Sequence, residues 1–103
     1  MATFVTPQAL IELLASEAPH ALLDAREQDE YSAAHIPGAS CLPRWLIELD
    51  PRKLVPFAGT RVVVCDDGRR GGLAAAMLER IGYGDVAVIE GGLNRWASVV
   101  RTR

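Results

Sequence analysis

A parallel β-sheet covered on both faces by helices is the fold that the sequence predicts, and three observations predict it. Short apolar runs alternate with helical patterns along the chain. The runs at 21–23, 62–64 and 86–89 are continuous rather than alternating in polarity, as strands buried on both faces must be. The 103 residues are the size of one ordinary domain, and the punctuation between elements is short and regular, so one domain over 1–103 is expected.

The elements follow in order. Thr6 before Pro7 marks a helix start: a threonine oxygen can cap free N–H groups, and proline tolerates the first turn. Leu10, Leu13 and Leu14 then share one helical face. Ala21-Leu22-Leu23 reads as a buried strand ending in Asp24. The polar stretch 27–33 suits a short helix. Ile36-Pro37-Gly38 must be a turn, because proline and glycine together break either regular element. Residues 39–42 suit another short strand, and 43–49 a helical turn or two with Trp45, Leu46 and Leu49 on one side. Val62-Val63-Val64 is the clearest strand, β-branched throughout. It runs into a loop at 65–68. A helix follows over about 70–81, with Ala74, Met77, Leu78 and Ile81 as its apolar stripe and Gly82 as its C-terminal cap. Residues 86–89 form a further buried strand. Gly91-Gly92 leads into a last helix whose inner face carries Leu93, Trp96, Ala97 and Val100.

Composition excludes several classes. The net charge of -2 argues against nucleic acid or a membrane surface, both of which call for a basic patch. No apolar stretch approaches the roughly 20 residues that span a bilayer. The first residues have neither a basic flank nor a long apolar region, so no secretory signal is read there. Two cysteines make no disulfide framework, and no Cys/His cluster has metal spacing. A reduced cytoplasmic chain with free thiols is expected, with no metal and no organic cofactor. The oligomeric state is not legible.

The chemistry concentrates after the strongest strand. In open parallel sheets ligands bind beyond the carboxyl ends of the strands, where Cys65 sits. Cys65-Asp66-Asp67-Gly68-Arg69-Arg70 feeds directly into a helix. Gly68 allows a tight bend, and a loop curling over a helix start points N–H groups inward as an anion nest. An ordinary cysteine, with a pKa of about 8.5, is only about 3% thiolate at pH 7. Inward N–H groups and the helix dipole are expected to lower that pKa, and would equally hold a persulfide anion. The bland alternative is an inert buried thiol ending a strand.

Four stretches stand in order: Leu22-Leu23-Asp24-Ala25-Arg26-Glu27 through Glu30-Tyr31; His35-Ile36-Pro37-Gly38-Ala39; the strand and six-residue loop 62–70, with cysteine first, glycine fourth and arginine last; and Val88-Ile89-Glu90-Gly91-Gly92 followed by Trp96. With them the chain, from about Phe4 to Ser98, resembles the rhodanese (sulfurtransferase) family. The resemblance implies a central parallel sheet of about five strands with helices on both faces. It implies that Cys65 takes sulfane sulfur from a donor and passes it to a nucleophilic acceptor. It implies that Gly68 and Arg70 shape the loop, with the N–H groups of 66–70 as the cradle.

Rhodaneses that use thiosulfate often carry basic residues just after the cysteine, where this chain has Asp66 and Asp67. Two carboxylates repel a dianionic donor and oppose thiolate formation, and Arg69 and Arg70 offset them only if they face the site. A small-molecule or protein persulfide is therefore the expected donor, with thiosulfate a weak one, and a thiol or cyanide the acceptor. Asp24 and Arg26 read as a structural ion pair near the site, and His35 as a structural hydrogen-bonding residue. Cys41 reads as packing, although it could resolve a Cys65 persulfide as a disulfide. Trp45 and Trp96 read as packing residues, and Arg44, Arg52 and Lys53 as a solvated face, although they could form a small basic rim for a partner.

Two other functions compete. Phosphatases and arsenate reductases also cradle an anion at a cysteine below a helix, but their signature has five residues between cysteine and arginine. Here Cys65 and Arg70 enclose four, a smaller nest suited to one sulfur atom. A binding or regulatory module without turnover is the other alternative; such relatives often lack the cysteine.

Overall fold

The computed structural model of the chain describes residues 3–43, 52, 55–67 and 71–101. The strands are β1 (Thr3–Val5), β2 (His20–Asp24), β3 (Ser40–Cys41), β4 (Arg61–Cys65) and β5 (Val86–Ile89). The helices are α1 (Pro7–Ala15), α2 (Gln28–Ala33), α3 (Gly71–Arg80) and α4 (Gly92–Arg101). The strands form one all-parallel sheet in the order β1-β5-β4-β2-β3, so β4 is central.

Both faces are covered. Alternate residues of a strand point to opposite faces. Leu23, Val62, Val64, Val86 and Val88 pack against Ala74, Ala75 and Leu78 of α3. Leu22, Val63, Ala87 and Ile89 pack on the other side with Leu10 of α1 and Leu93 and Trp96 of α4. The sandwich of helix, parallel sheet and helix is the expected fold.

Local chemistry sets the boundaries. Thr6 Oγ1 accepts from Ala9 N at 3.1 Å and Pro7 opens α1, as expected. At the end of α3, Gly82 N donates to Glu79 O and Tyr83 N to Leu78 O, with Gly82 at φ 112°. This is the Schellman closure, which needs a residue at positive φ and so favours glycine. Ala39 N donates to Ile36 O across Pro37-Gly38, and Gly38 has φ 91°. That is a type II turn, with proline fixing its second residue and glycine its third.

Some expectations need correction. β1 is not legible as a strand, because it is three residues long with Thr3 and Phe4 exposed. It adds to the edge of β5 by backbone pairing rather than by an apolar pattern. Cys65 is the last residue of β4, not the first of a loop. Ile81 is 38% exposed, and Ala75 takes its place in the buried stripe of α3. Arg52 is exposed, donates to Ile81 O at the carboxyl end of α3 and lies over the Tyr83 ring. The expected helical turns with Trp45, Leu46 and Leu49, together with Arg44 and Lys53, lie outside the described residues.

Candidate active site

Parallel register builds the site from strand ends. Asp24 of β2 pairs with Cys65 on one side and with Cys41 of β3 on the other. Cys41, Asp24 and Cys65 therefore form a row across the carboxyl edge of the sheet. Neighbouring strands lie about 4.8 Å apart, so the two cysteine Cα atoms stand about 9–10 Å apart. A disulfide tolerates at most about 7 Å. Cys41 thus has no direct reach to Cys65, and Asp24 stands between them.

Asp24 is fully buried and fully engaged. It accepts from Arg26 N and Nε at 3.0 Å and from Arg26 Nη2 at 2.8 Å. Arg26 Nη2 also donates to Ala34 O, tying the end of β2 to the segment before Ile36. The Asp-x-Arg spacing works because Arg26 N donates back to Asp24 Oδ1 across Ala25, whose own N–H donates to Cys65 O.

Cys65 has no exposed surface and sits among Leu22, Ile36, Ala39 and Ile89. The expectation of a lowered pKa is not met. The thiol is pushed from 9.0 up to about 12, by burial first and then by the Asp24 and Asp66 carboxylates, with Arg26 opposing them. Desolvation of the anion and two nearby negative charges act on the same proton. Cys41 is raised too, by its partial burial first and by Asp24 second.

The two loop aspartates differ. Asp67 is exposed. Asp66 is 1% exposed, and its side chain lies on the α3 side of the sheet, against the start of α3. One carboxylate oxygen accepts from Gly71 N, while Oδ1 has no hydrogen-bond partner among the described residues. Gly71 is required there: a Cβ would stand 2.7 Å from Val88 Cγ1 and 2.9 Å from Asp66 Cγ. Leu93 N donates to Asp66 O, which fastens α4 to the same loop. Gly68, Arg69 and Arg70 lie outside the described residues.

A pocket of about 310 Å³ opens between the 34–36 segment and the first turns of α4, lined by Arg26, His35, Ile36, Leu93, Asn94 and Trp96 among others. Cys65 does not line it, but Ile36, Leu93 and Trp96 belong to the cluster that buries Cys65. His35 is held as a turn residue: its Nδ1 meets Tyr31 O at 2.8 Å and its ring stacks on Tyr31 at 3.8 Å. Asn94 carries no sequence signal, because the pocket joins two segments remote in the chain.

Comparison with known proteins agrees with this fold. The model of the family described as "Rhodanese-like domain" matches residues 6–99. A probable adenylyltransferase/sulfurtransferase (MoeZ) of Mycobacterium tuberculosis is 33% identical over 90% of this chain, which spans 24% of that relative. A sulfurtransferase of Allochromatium vinosum is 32% identical, covering 94% of this chain and 90% of its own length. Among solved structures, a thiosulfate sulfurtransferase from Pseudomonas aeruginosa superimposes with a TM-score of 0.88 at 36% identity, over 94% of this chain and 19% of the other.

Proposed function

The chain belongs to the rhodanese-like domain family, and from that premise we propose that it is a sulfurtransferase in which Cys65 carries sulfane sulfur as a persulfide. One observation carries the reading: Cys65 ends the central strand at the carboxyl edge of the sheet, six residues before the start of α3. That position, before a helix N-terminus, supports a role in attack on sulfur and in storing the anion formed. The relatives are named as sulfurtransferases, which supports the reaction class.

The transfer has two steps. The Cys65 thiolate attacks the outer sulfur of a donor persulfide, RS–SH. The new S–S bond forms, the RS–S bond breaks, and the proton leaves with the thiol RSH. An acceptor thiol or cyanide then attacks the outer sulfur and restores the Cys65 thiolate. The loop N–H groups of 66–70 hold the persulfide anion between the steps. A small-molecule or protein persulfide is the preferred donor, because Asp66 opposes the dianion thiosulfate.

A binding module without turnover is the second reading, and the buried, weakly acidic Cys65 thiol favours it. Intact-protein mass spectrometry separates the two. Wild type and Cys65→Ser are incubated with thiosulfate or a small-molecule persulfide. The expected result is a gain of one sulfur atom in wild type, removable by cyanide and absent from the variant. Wild type that gains no sulfur from either donor would make the binding module the correct reading.

A further inference from the structure

Asp66 sits at the N-terminus of α3 in a way that an ordinary helix cap does not. A capping side chain accepts from an N–H two or three residues further on. The Asp66 carboxylate accepts from Gly71 N, five residues further on. The seat fits that carboxylate closely, because a Cβ at Gly71 would stand 2.9 Å from Asp66 Cγ and 3.0 Å from its Oδ1. It also leaves the group half satisfied: Oδ1 is buried and has no hydrogen-bond partner among the described residues. The backbone is pinned separately, by Leu93 N donating to Asp66 O. Rotation of the side chain therefore empties the seat without moving the end of β4.

A helix N-terminus attracts a nearby anion. Once Cys65 is loaded, the chain carries a second anion next to Asp66. The repulsion is reciprocal: the Asp66 carboxylate disfavours an anion on Cys65, and an anion on Cys65 disfavours the seated carboxylate equally. Turning outward gives Oδ1 access to water and leaves the N-terminus of α3 to the persulfide.

We infer that Asp66 is an autoinhibitory side chain: its carboxylate fills the anion seat at the N-terminus of α3 in the unloaded protein and gives it up when Cys65 takes sulfur. The inference rests on Cys65 being the sulfur carrier. The exchange accompanies the step in which Cys65–S⁻ plus RS–SH gives Cys65–S–S⁻ plus RSH. The new S–S bond forms, the RS–S bond breaks, and the proton leaves with the thiol.

Two measurements test it. Asp66→Asn removes the charge but keeps an oxygen for Gly71 N, whereas Asp66→Ala removes both and empties the seat. Loading of Cys65 by a small-molecule persulfide is timed by intact-protein mass spectrometry. Asp66→Ala is expected to load about fivefold faster than Asp66→Asn, the factor carried by one hydrogen bond. Equal rates, or a slower Asp66→Ala, would overturn the inference, since simple charge repulsion predicts the first and a purely structural cap the second. The other measurement needs no variant. In isotope-labelled wild type, NMR should detect a coupling through the hydrogen bond between Gly71 N and Asp66 Cγ, and the coupling should vanish on loading. Its absence from the unloaded protein, or its persistence in the loaded one, refutes the autoinhibitory role. Wild type that gains no sulfur at all refutes instead the sulfur-carrier reading, and the inference with it, so the two failures are distinguishable.

Discussion

At the scale of single residues, the site is governed by which carboxylate is buried. Asp66 and Asp67 look equivalent in the sequence, yet only Asp66 is enclosed, with one oxygen on Gly71 N and the other without a partner among the described residues. Charge in a poorly solvated place acts at longer range than charge in water. Asp66→Asn is therefore expected to raise kcat/KM for thiosulfate about tenfold relative to a small persulfide, because it removes one negative charge opposing a dianion. Asp67→Asn should change that ratio less than twofold, since an exposed charge is screened. Steady-state kinetics with both donors check the pair, and equal effects of the two substitutions would refute the assignment to burial.

Elements are joined to one another through the same few residues. The Asp24–Arg26 pair fastens the end of β2 to the segment leading into the Ile36 turn. Arg26→Met leaves a fully buried carboxylate without its cation and is expected to cost about 3 kcal/mol of folding stability, measured by urea unfolding. The start of α3 is constrained in the opposite way, by space. Gly71→Ala drives a methyl group into Val88 and Asp66. Overpacking of this kind costs about 1–3 kcal/mol. It should also displace the Asp66 carboxylate, so the variant combines lower stability with altered donor preference.

At the scale of the whole molecule, the Cys65 thiol couples folding to pH. Its pKa is about 12 when folded, against an ordinary value of 9.0. Between those values the unfolded chain has released the proton and the folded chain still holds it, so stability falls as pH rises. The contribution is fully present below about pH 9 and is lost on the way to about pH 12. Wild type should therefore lose more stability than Cys65→Ser across that window in denaturant titrations, and identical slopes would contradict the burial of the thiol. The sequence by itself determined the alternation of strands and helices, the capping at Thr6 and Gly82, the Pro37-Gly38 turn and the family. Each of these rests on local propensity or on spacing along the chain, which neighbours in sequence are enough to fix. It did not determine β1, whose pairing with β5 is a backbone contact between chain-distant segments. Nor did it determine the high pKa of Cys65, the separation of Cys41 from it by Asp24, the unequal burial of Asp66 and Asp67, or the pocket joining His35 to Asn94. Those depend on strand order and helix placement, because desolvation and electric fields act through space and are set by whatever the fold packs against each group.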